Sequence, residues 1–581
     1  LRPYSSSILR TYRLLSFTFV LLAALSGYAQ SSSVADLGSA MPPNSYSASA
    51  DWWKHAVIYE IYPRSFGDSN NDGTGDLAGI TEHLAYLQSM GIDAIWLTPM
   101  FPSPQVDFGY DVSDYRNVDP QYGTLADFDR LVAEGNKHGI KIILDFVVNH
   151  TSDQHEWFKA STQSKNNPYR DFYIWRDGRA TNLPPNNWTS CFGGSSWTLD
   201  PKTGQYYYHY FYPQQPDLNW RNPKVEKEMF DTMRWWFKRG VYGFRLDAVD
   251  SLFEDQKLTD NQPAAGTDAY GDPNQNHLYD HNLPEVHTEL QKMRTVVDQY
   301  KGRVLIGETW TNTPAELAVY YGPHNNELQM PMYFNFTTIN RLDAAMFREK
   351  IEAVEQNSVG GWPVFVLSNH DIHRQVDRYT PPGADKDKVA KLLAGMYLTL
   401  RGSAIMYYGE ELGMANNDPT RREDVKDVIG QKGWPTEKGR DGGRTPMQWD
   451  ATTNAGFNKG STTWLPVGAD YPTRNVAAEM ADSSSVLNWY RHIIRLRRDN
   501  IAISEGDYRT VDVSNPNVLA YTRNAKGKTV LVLLNLSAEN QDAVSLTSSL
   551  HKLSVLAATG ATVEQTQANL QGFGVLIAEI N

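Results

Sequence analysis

The sequence predicts an α/β protein: a (β/α)8 TIM barrel with a domain inserted after its third strand and a C-terminal β-sandwich domain. Three observations carry this reading. Helix-spaced apolar stretches end at a glycine and run straight into apolar strands three times over, eight such strands can be placed along the chain, and after about Asp499 the pattern changes to short alternating runs. Strands that are apolar throughout must be covered on both faces, and eight of them separated by helices close naturally into a barrel. A doubly wound open sheet is the alternative, and no Gly-rich phosphate loop supports it.

The elements follow in order. A first strand is read at 55–62. Leu77, Ile80, Leu84, Leu87 and Met90 then recur at helical spacing until Gly91, and 92–97 forms the second strand. Phe128, Leu131 and Val132 share a helix face, Gly139 ends that helix, and 140–148 is the third strand. The stretch 151–215 is long, aromatic and rich in Asn, Ser and Gly, so it is expected to fold as an excursion over the barrel mouth. Asn222 is a plausible N-cap with Pro223 at the first helical position; Met229, Met233, Trp236 and Phe237 give the buried stripe, and Gly240 precedes the strand 241–247. Further strands fit 304–308, 328–333, 363–368 and 403–408, each separated by room for a helix. The barrel is therefore assigned to 51–150 and 216–498, the inserted domain to 151–215, and the β-rich domain to 499–581.

Arg10 and Arg13 precede an apolar run at 14–25, and Gly27-Tyr28-Ala29 places small residues at a cleavage site, so 1–29 reads as a signal peptide and the protein as exported. Cleavage would remove Arg2, Arg10 and Arg13 and no acidic residue, taking the net charge from -13 to -16. Residues 30–50 read as a disordered lead-in. The acidic balance and the lack of a long basic run argue against a nucleic-acid partner. A lone cysteine, Cys191, rules out an internal disulfide. After cleavage nothing implies a membrane, and a monomer or weak homo-oligomer is expected.

The chemistry gathers at strand ends. Asp145, Asn149 and His150 stand after the third strand, Arg245 and Asp247 on the fourth, Glu308 at the end of the fifth, and Asn369, His370 and Asp371 after the seventh. Barrel enzymes build their sites at these C-terminal ends. With a strand period of two, Arg245 and Asp247 share a face, and the cation is expected to lower the carboxyl's pKa and suit it to be a nucleophile.

Asp145-Phe-Val-Val-Asn149-His150, Gly243-Phe-Arg245-Leu-Asp247, Gly307-Glu308 and Asn369-His370-Asp371 resemble, in order and spacing, the four signature regions of the α-amylase superfamily of glycoside hydrolases. Gln215-Pro-Asp-Leu-Asn219 and Gly442-Gly-Arg444-Thr-Pro-Met-Gln-Trp449 are similar to its oligo-1,6-glucosidase and α-glucosidase branch. The resemblance implies Asp247 as the nucleophile that forms a covalent glucosyl-enzyme, Glu308 as acid and then base, and Asp371 as a grip on the sugar hydroxyls. His150 and His370 would clamp the same glucose. Asp107 and Arg444 would pair across the end of the first sugar subsite and Tyr110 would supply a stacking face, which implies a closed pocket and an exo-acting enzyme. Ala248 resembles the residue of α-1,4-preferring members, so maltose-like substrates are favoured.

Asp68-Ser-Asn70-Asn-Asp72-Gly-Thr74-Gly-Asp76 places oxygen ligands at alternate positions with glycine at the sixth, as in a calcium loop, and the same string resembles the metal loop of the glucosidase branch. Asp68, Asn70, Asp72, Thr74 through its carbonyl and Asp76 are expected to hold one structural Ca²⁺, or Mg²⁺ in its place. Two other function classes stay open. A sugar-rearranging transferase, such as a trehalose or isomaltulose synthase, would use the same carboxylates, and a non-catalytic binding protein would keep only the barrel.

Overall fold

A computed structural model of the chain describes residues 40–358, 360–545, 553–564 and 567–580. The expected signal peptide, 1–29, lies outside the described residues. No helix among them is long and apolar enough to cross a membrane.

Eight parallel strands form the barrel: β1 Val57–Ile61, β2 Ala94–Leu97, β3 Lys141–Val147, β4 Gly243–Asp247, β5 Val304–Gly307, β6 Met330–Tyr333, β7 Val364–Phe365 and β8 Ala404–Tyr407. β1 to β7 pair each with its neighbour in chain order, and β8 pairs with β1. The ring is completed between β7 and β8 by Ser403 N–H, which donates to Pro363 O at 3.2 Å. Gly402 makes this approach possible: its φ is +117°, and a Cβ there would fall 2.0 Å from Pro363 O. Alternate residues divide the packing. Ile58, Trp96, Ile143, Ile306 and Ile405 fill the barrel, while Val57, Tyr59 and Ile61 join the helices outside.

Several elements differ from expectation. β7 is two residues long, because after Val366 N–H donates to Tyr333 O the chain turns so that the Ser368 hydroxyl meets Glu410. The helix expected from Leu77 to Met90 breaks into Leu77–Glu82 and Leu84–Met90 at His83. The His83 ring Nδ1 bonds the Gly79 carbonyl at 2.7 Å, so the His83 N–H turns to Ile80 O instead. Burial lowers this imidazole to about 4, which keeps it neutral against Trp449, 3.6 Å away ring to ring. The helix Pro223–Lys238 is as expected, with the Asn222 side chain accepting from Lys224 N–H and Gly240 (φ 98°) turning the chain into β4.

The lead-in was expected to be disordered, but its described part, 40–50, is held. Met41 is buried, Arg498 donates to Pro42 O at 2.7 Å, and Tyr46 stacks on His55 and donates to Glu505 at 2.7 Å. A buried Met41, a stacked Tyr46 and two directed bonds outweigh the low-complexity composition of the segment.

The excursion leaves at His150 and returns at Asp217, which pair as an antiparallel bridge. It contains the helix Glu156–Ser161 and a three-stranded sheet in the order Trp175–Arg176, Gln205–Tyr208, Trp197–Asp200, with its own core of Ile174, Trp188, Trp197, Tyr206 and Tyr208. A second excursion follows β4: the hairpin Gln262–Thr267 and Pro273–Asn276, bound to the first by paired Asn187 and Asn261 hydrogen bonds of 2.8 and 2.9 Å.

The C-terminal domain is antiparallel: β9 Asp507–Thr510, β10 Val518–Ala525, β11 Lys528–Asn535, β12 Gln541–Ser545, β13 Leu553–Glu564 and β14 Gln567–Ile580. The strands are linked in one ladder whose bulges bend it, and alternate residues feed two apolar clusters. Leu519, Tyr521, Val530 and Val532 pack towards the barrel helices; Val518, Ala520, Leu531 and Leu533 form the separate core. Arg523 is fully buried between the domains and donates to Thr399 O and Gly506 O.

Candidate active site

The barrel mouth opens into a cavity of about 960 Å³, and Asp107, Tyr110, His150, Asp247, Glu308 and Asp371 line it. Arg245, His370 and Arg444 stand behind the wall as fully buried side chains. The nine expected residues are therefore gathered at one place, six facing the cavity and three supporting them.

Arg245 is the hub. On β4 it points into the barrel opposite Asp145 of β3, as the register requires. Its Nη1 lies 2.6 Å from Asp247 Oδ1 and 3.1 Å from Asp145 Oδ1, and its Nη2 lies 2.9 Å from Glu308 Oε2, a close ion pair off the hydrogen-bond direction. One guanidinium thus serves three carboxylates. The expectation that Arg245 lowers the pKa of Asp247 needs correction: burial pushes the Asp247 carboxyl well above the usual range, with Arg245 pulling it down and Glu308 and Asp145 pushing it up. A single cation divided among three anions does not offset the desolvation of Asp247.

Glu308 follows β5 and is held from both sides. Its Oε2 accepts from Ala248 N–H at 2.9 Å and its Oε1 from the Trp310 indole at 3.1 Å. Ala248, directly after Asp247, adopts a left-handed backbone (φ 44°, ψ 39°), which turns its N–H towards Glu308. For a residue with a Cβ this conformation costs roughly 1–2 kcal/mol, and such strain collects where geometry matters for chemistry.

Asp371 sits between cations. His370 Nε2 is 3.0 Å from its Oδ2, and Arg440 Nη1 and Arg444 Nη2 each donate to its Oδ1 at 2.9 Å. Burial would raise the Asp371 carboxyl, but His370, Arg440 and Arg444 outweigh it and hold it well below the usual range. Burial would likewise lower His370, yet Asp371 and Glu60 carry it to about 9. His370 was expected to clamp the sugar. In the structure its Nδ1 is taken by Glu60 at 2.6 Å and its Nε2 by Asp371 and the Tyr110 hydroxyl, so it positions Asp371 and does not face the cavity. His150 does face it. Burial lowers this imidazole to about 3, leaving it neutral, with Nε2 3.1 Å from both Tyr110 O and the Gln215 amide. Tyr110 lies parallel to the His370 ring at 5.3 Å and donates to Asp145 at 3.0 Å.

The expected pairing of Asp107 with Arg444 is not found. Asp107 Oδ1 is bound by Arg440 Nη2 at 2.7 Å, and its Oδ2 by the Gln215 amide at 3.3 Å. Two arginines stand four residues apart in Arg440-Asp-Gly-Gly-Arg444, and the 3-10 turn Asp441–Arg444 sends them in different directions. Arg440 reaches over the cavity, gripped from behind by Asp427 at 2.9 Å; Arg444 turns inward to donate to His370 O at 2.7 Å.

With this geometry the comparisons agree. A family description, alpha amylase catalytic domain, matches residues 60–506, and a second, maltogenic amylase C-terminal domain, matches 508–567. The chain belongs to the α-amylase family of glycoside hydrolases. It is 41% identical over 84% of its length to a probable alpha-glucosidase of Rhizobium meliloti (90% of that protein), and 40% identical over 84% to an oligo-1,6-glucosidase of Parageobacillus thermoglucosidasius (90% of that protein). Among solved structures, the trehalulose synthase MutB of Pseudomonas mesoacidophila superposes with a TM-score of 0.85 at 38% identity, covering 91% of this chain and 99% of that one.

In this α-amylase-family chain the loop 68–76 is wound by its own side chains. Asp68 accepts from Asn71 and Gly73 N–H, Asn70 from Asp72 N–H and Asp72 from Thr74 N–H, each between 2.7 and 2.8 Å. The donor set is all oxygen, which suits a hard cation. Asp76 is turned otherwise: it caps the helix Leu77–Glu82 through Gly79 N–H at 2.6 Å and accepts from Ser69.

Four residues of the site escape a motif reading. Asp427 and Arg440 cap two short helical segments, Val428–Gly433 and Asp441–Arg444, and Trp310 follows Glu308 two residues on. Glu60 carried the one visible signal, a charge within the apolar strand Val57–Ile61.

Proposed function

We propose that this enzyme is a retaining, exo-acting α-glucosidase that removes terminal non-reducing glucose from maltose and short oligosaccharides, with α-1,4 linkages favoured. The observation that carries it is Arg440, which joins Asp107 to Asp371; in this reading the bridge closes one end of the cavity behind a single glucose. Productive chemistry requires Asp247 ionised and the proton on Glu308. Asp247 attacks the anomeric carbon while Glu308 gives its proton to the departing glycosidic oxygen; the bond to that oxygen breaks and a covalent glucosyl-enzyme forms. Glu308, now a base, takes a proton from water, whose oxygen displaces Asp247 and returns the α-configuration. Asp371, kept ionised by its three cationic neighbours, stabilises the positive charge that develops on the ring.

A second reading is supported by the structural likeness to a trehalulose synthase and to an α-glucosyl transfer enzyme, the latter with a TM-score of 0.86 at 39% identity. There the same glucosyl-enzyme is returned to a sugar hydroxyl instead of water. Incubation with maltose, isomaltose, sucrose and starch separately, followed by NMR from the first turnovers, separates the readings. Release of α-glucose from maltose with little action on starch is expected. New disaccharides without net glucose would favour transfer, and rapid cutting of starch into oligosaccharides would overturn the closed pocket.

A further inference from the structure

The segment that follows the second excursion brings two histidines and an aspartate together at the cavity wall. His277 Nδ1 lies 2.9 Å from Asp280 Oδ2 and His281 Nδ1 lies 3.2 Å from Asp280 Oδ1. Among the described residues this is where three His, Cys, Asp or Glu side chains offer ligand atoms within 4.8 Å of one another. The Asp280 carboxylate is fully buried, and the Asn261 amide donates to its Oδ2 at 2.9 Å. The Tyr210 ring packs edge-on to His281 at 4.3 Å. Both histidines line the cavity.

We propose that His277, Asp280 and His281 form a binding site for a borderline divalent cation of the Zn²⁺ type. Two imidazole nitrogens and one carboxylate make a three-ligand set that leaves a fourth tetrahedral position open, here towards the cavity. Nitrogen donors favour Zn²⁺, Cu²⁺ or Ni²⁺ and disfavour Ca²⁺ and Mg²⁺, so this site and the all-oxygen loop 68–76 select different ions. Ligand atoms around a tetrahedral Zn²⁺ stand about 3.3 Å apart for bonds of about 2.0 Å, close to the nitrogen–oxygen separations already present. A small swing of each ring exchanges the shared hydrogens for the ion. Asn261 and Tyr210 supply the surrounding contacts that fix the carboxylate and one imidazole.

The location gives the ion a consequence. Asn282 N–H donates to Asp250 O, and Asp250 Oδ2 accepts from Trp310 N–H, whose indole holds Glu308. The cation therefore sits on the acid/base side, and its open position takes up room that the leaving sugar needs. The metal site stands whether or not the glucosidase reading does; its effect on turnover rests on that reading.

The test titrates the full chain, freed of trace metal, with Zn²⁺ by calorimetry and with Co²⁺ by visible absorption. The variants His277→Ala and His281→Ala are titrated alongside, with circular dichroism confirming that each is folded. One ion per chain and an intense four-coordinate Co²⁺ band are expected, with affinity at least tenfold weaker in each variant and Ca²⁺ unable to compete. Absence of the band, or wild-type affinity in both variants, would overturn the site and leave a His–Asp–His hydrogen-bond clasp. With maltose as substrate, Zn²⁺ is expected to inhibit the wild type reversibly and the variants at least tenfold less; tight binding without inhibition would overturn the placement against the leaving group.

Discussion

Arg440 holds Asp107 at 2.7 Å while the same guanidinium reaches Asp371 at 2.9 Å, so a wall residue and a catalytic candidate are tied by one side chain. Arg440→Ala would leave both carboxylates short of a partner in a buried setting. Breaking such a pair costs about 3–5 kcal/mol; a fall in kcat/KM for maltose on the order of 10²- to 10³-fold is expected from steady-state kinetics. Unchanged kcat/KM would remove Arg440 from the pocket's end.

Glu308→Gln should lower turnover of maltose by about 10²- to 10⁴-fold, the usual worth of a general acid. An aryl α-glucoside, whose leaving group needs no proton, should lose far less in its first step, visible as a burst of phenolate. Asp247→Asn should silence both substrates with the fold intact by circular dichroism. Equal losses on both substrates in the Glu308 variant would contradict the acid role.

His370 predicts a pH dependence of stability. Its folded value, about 9, lies above the ordinary 6.5, so its contribution is complete below about pH 6.5 and is lost as pH rises through about 9. Glu410 and Glu479, which burial pushes to about 8, add loss of the same sign. Urea midpoints should therefore fall from pH 6 to 9, and His370→Gln should fall less steeply over that window. A parallel slope would mean that His370 is not charged in the folded state.

Chelation probes the loop 68–76. If Ca²⁺ is held there, removing it should lower the melting temperature by a few degrees, and saturation at about 100 times Kd should restore about 2.7 kcal/mol. The loop carries no catalytic residue, so the chelated enzyme should keep its KM while it stays folded. Asp68→Ala should abolish the calcium response; a calcium response that survives it would relocate the ion.

Ala248 lines the cavity and holds Glu308 through its N–H. Ala248→Val adds two methyl groups beside Asp247, and contacts of this size shift specificity by about 1–3 kcal/mol. The ratio of kcat/KM for maltose over isomaltose should fall by 10-fold or more. No change in that ratio would leave the linkage preference without a residue to explain it.

The barrel was legible because eight buried parallel strands must be apolar throughout, and the gathering of Asp247, Glu308 and Asp371 at one cavity because charge at a strand end stands out against such a run. Arg440 was not. Two arginines of one short loop differ only in which way a turn sends them, and composition does not encode that direction. The hairpin 262–276 escaped for another reason: its strands are largely exposed and carry no large apolar side chain, so no alternation marks them. Glu60 was visible as a charge in β1 but had no partner until the fold brought His370 to it. The pKa of Asp247 turned on how many anions share Arg245, a count that a two-residue spacing cannot supply.

If the bridge from Asp107 through Arg440 bars one end of the chamber, as proposed, then substrate, leaving sugar, attacking water and released glucose all share the other end. The first fragment then has to clear before water takes its place, and glucose, innermost, leaves last. On that reading the order of events is set by the walls, and free glucose, re-entering by the same route, competes directly with the next substrate for the seat it has just vacated.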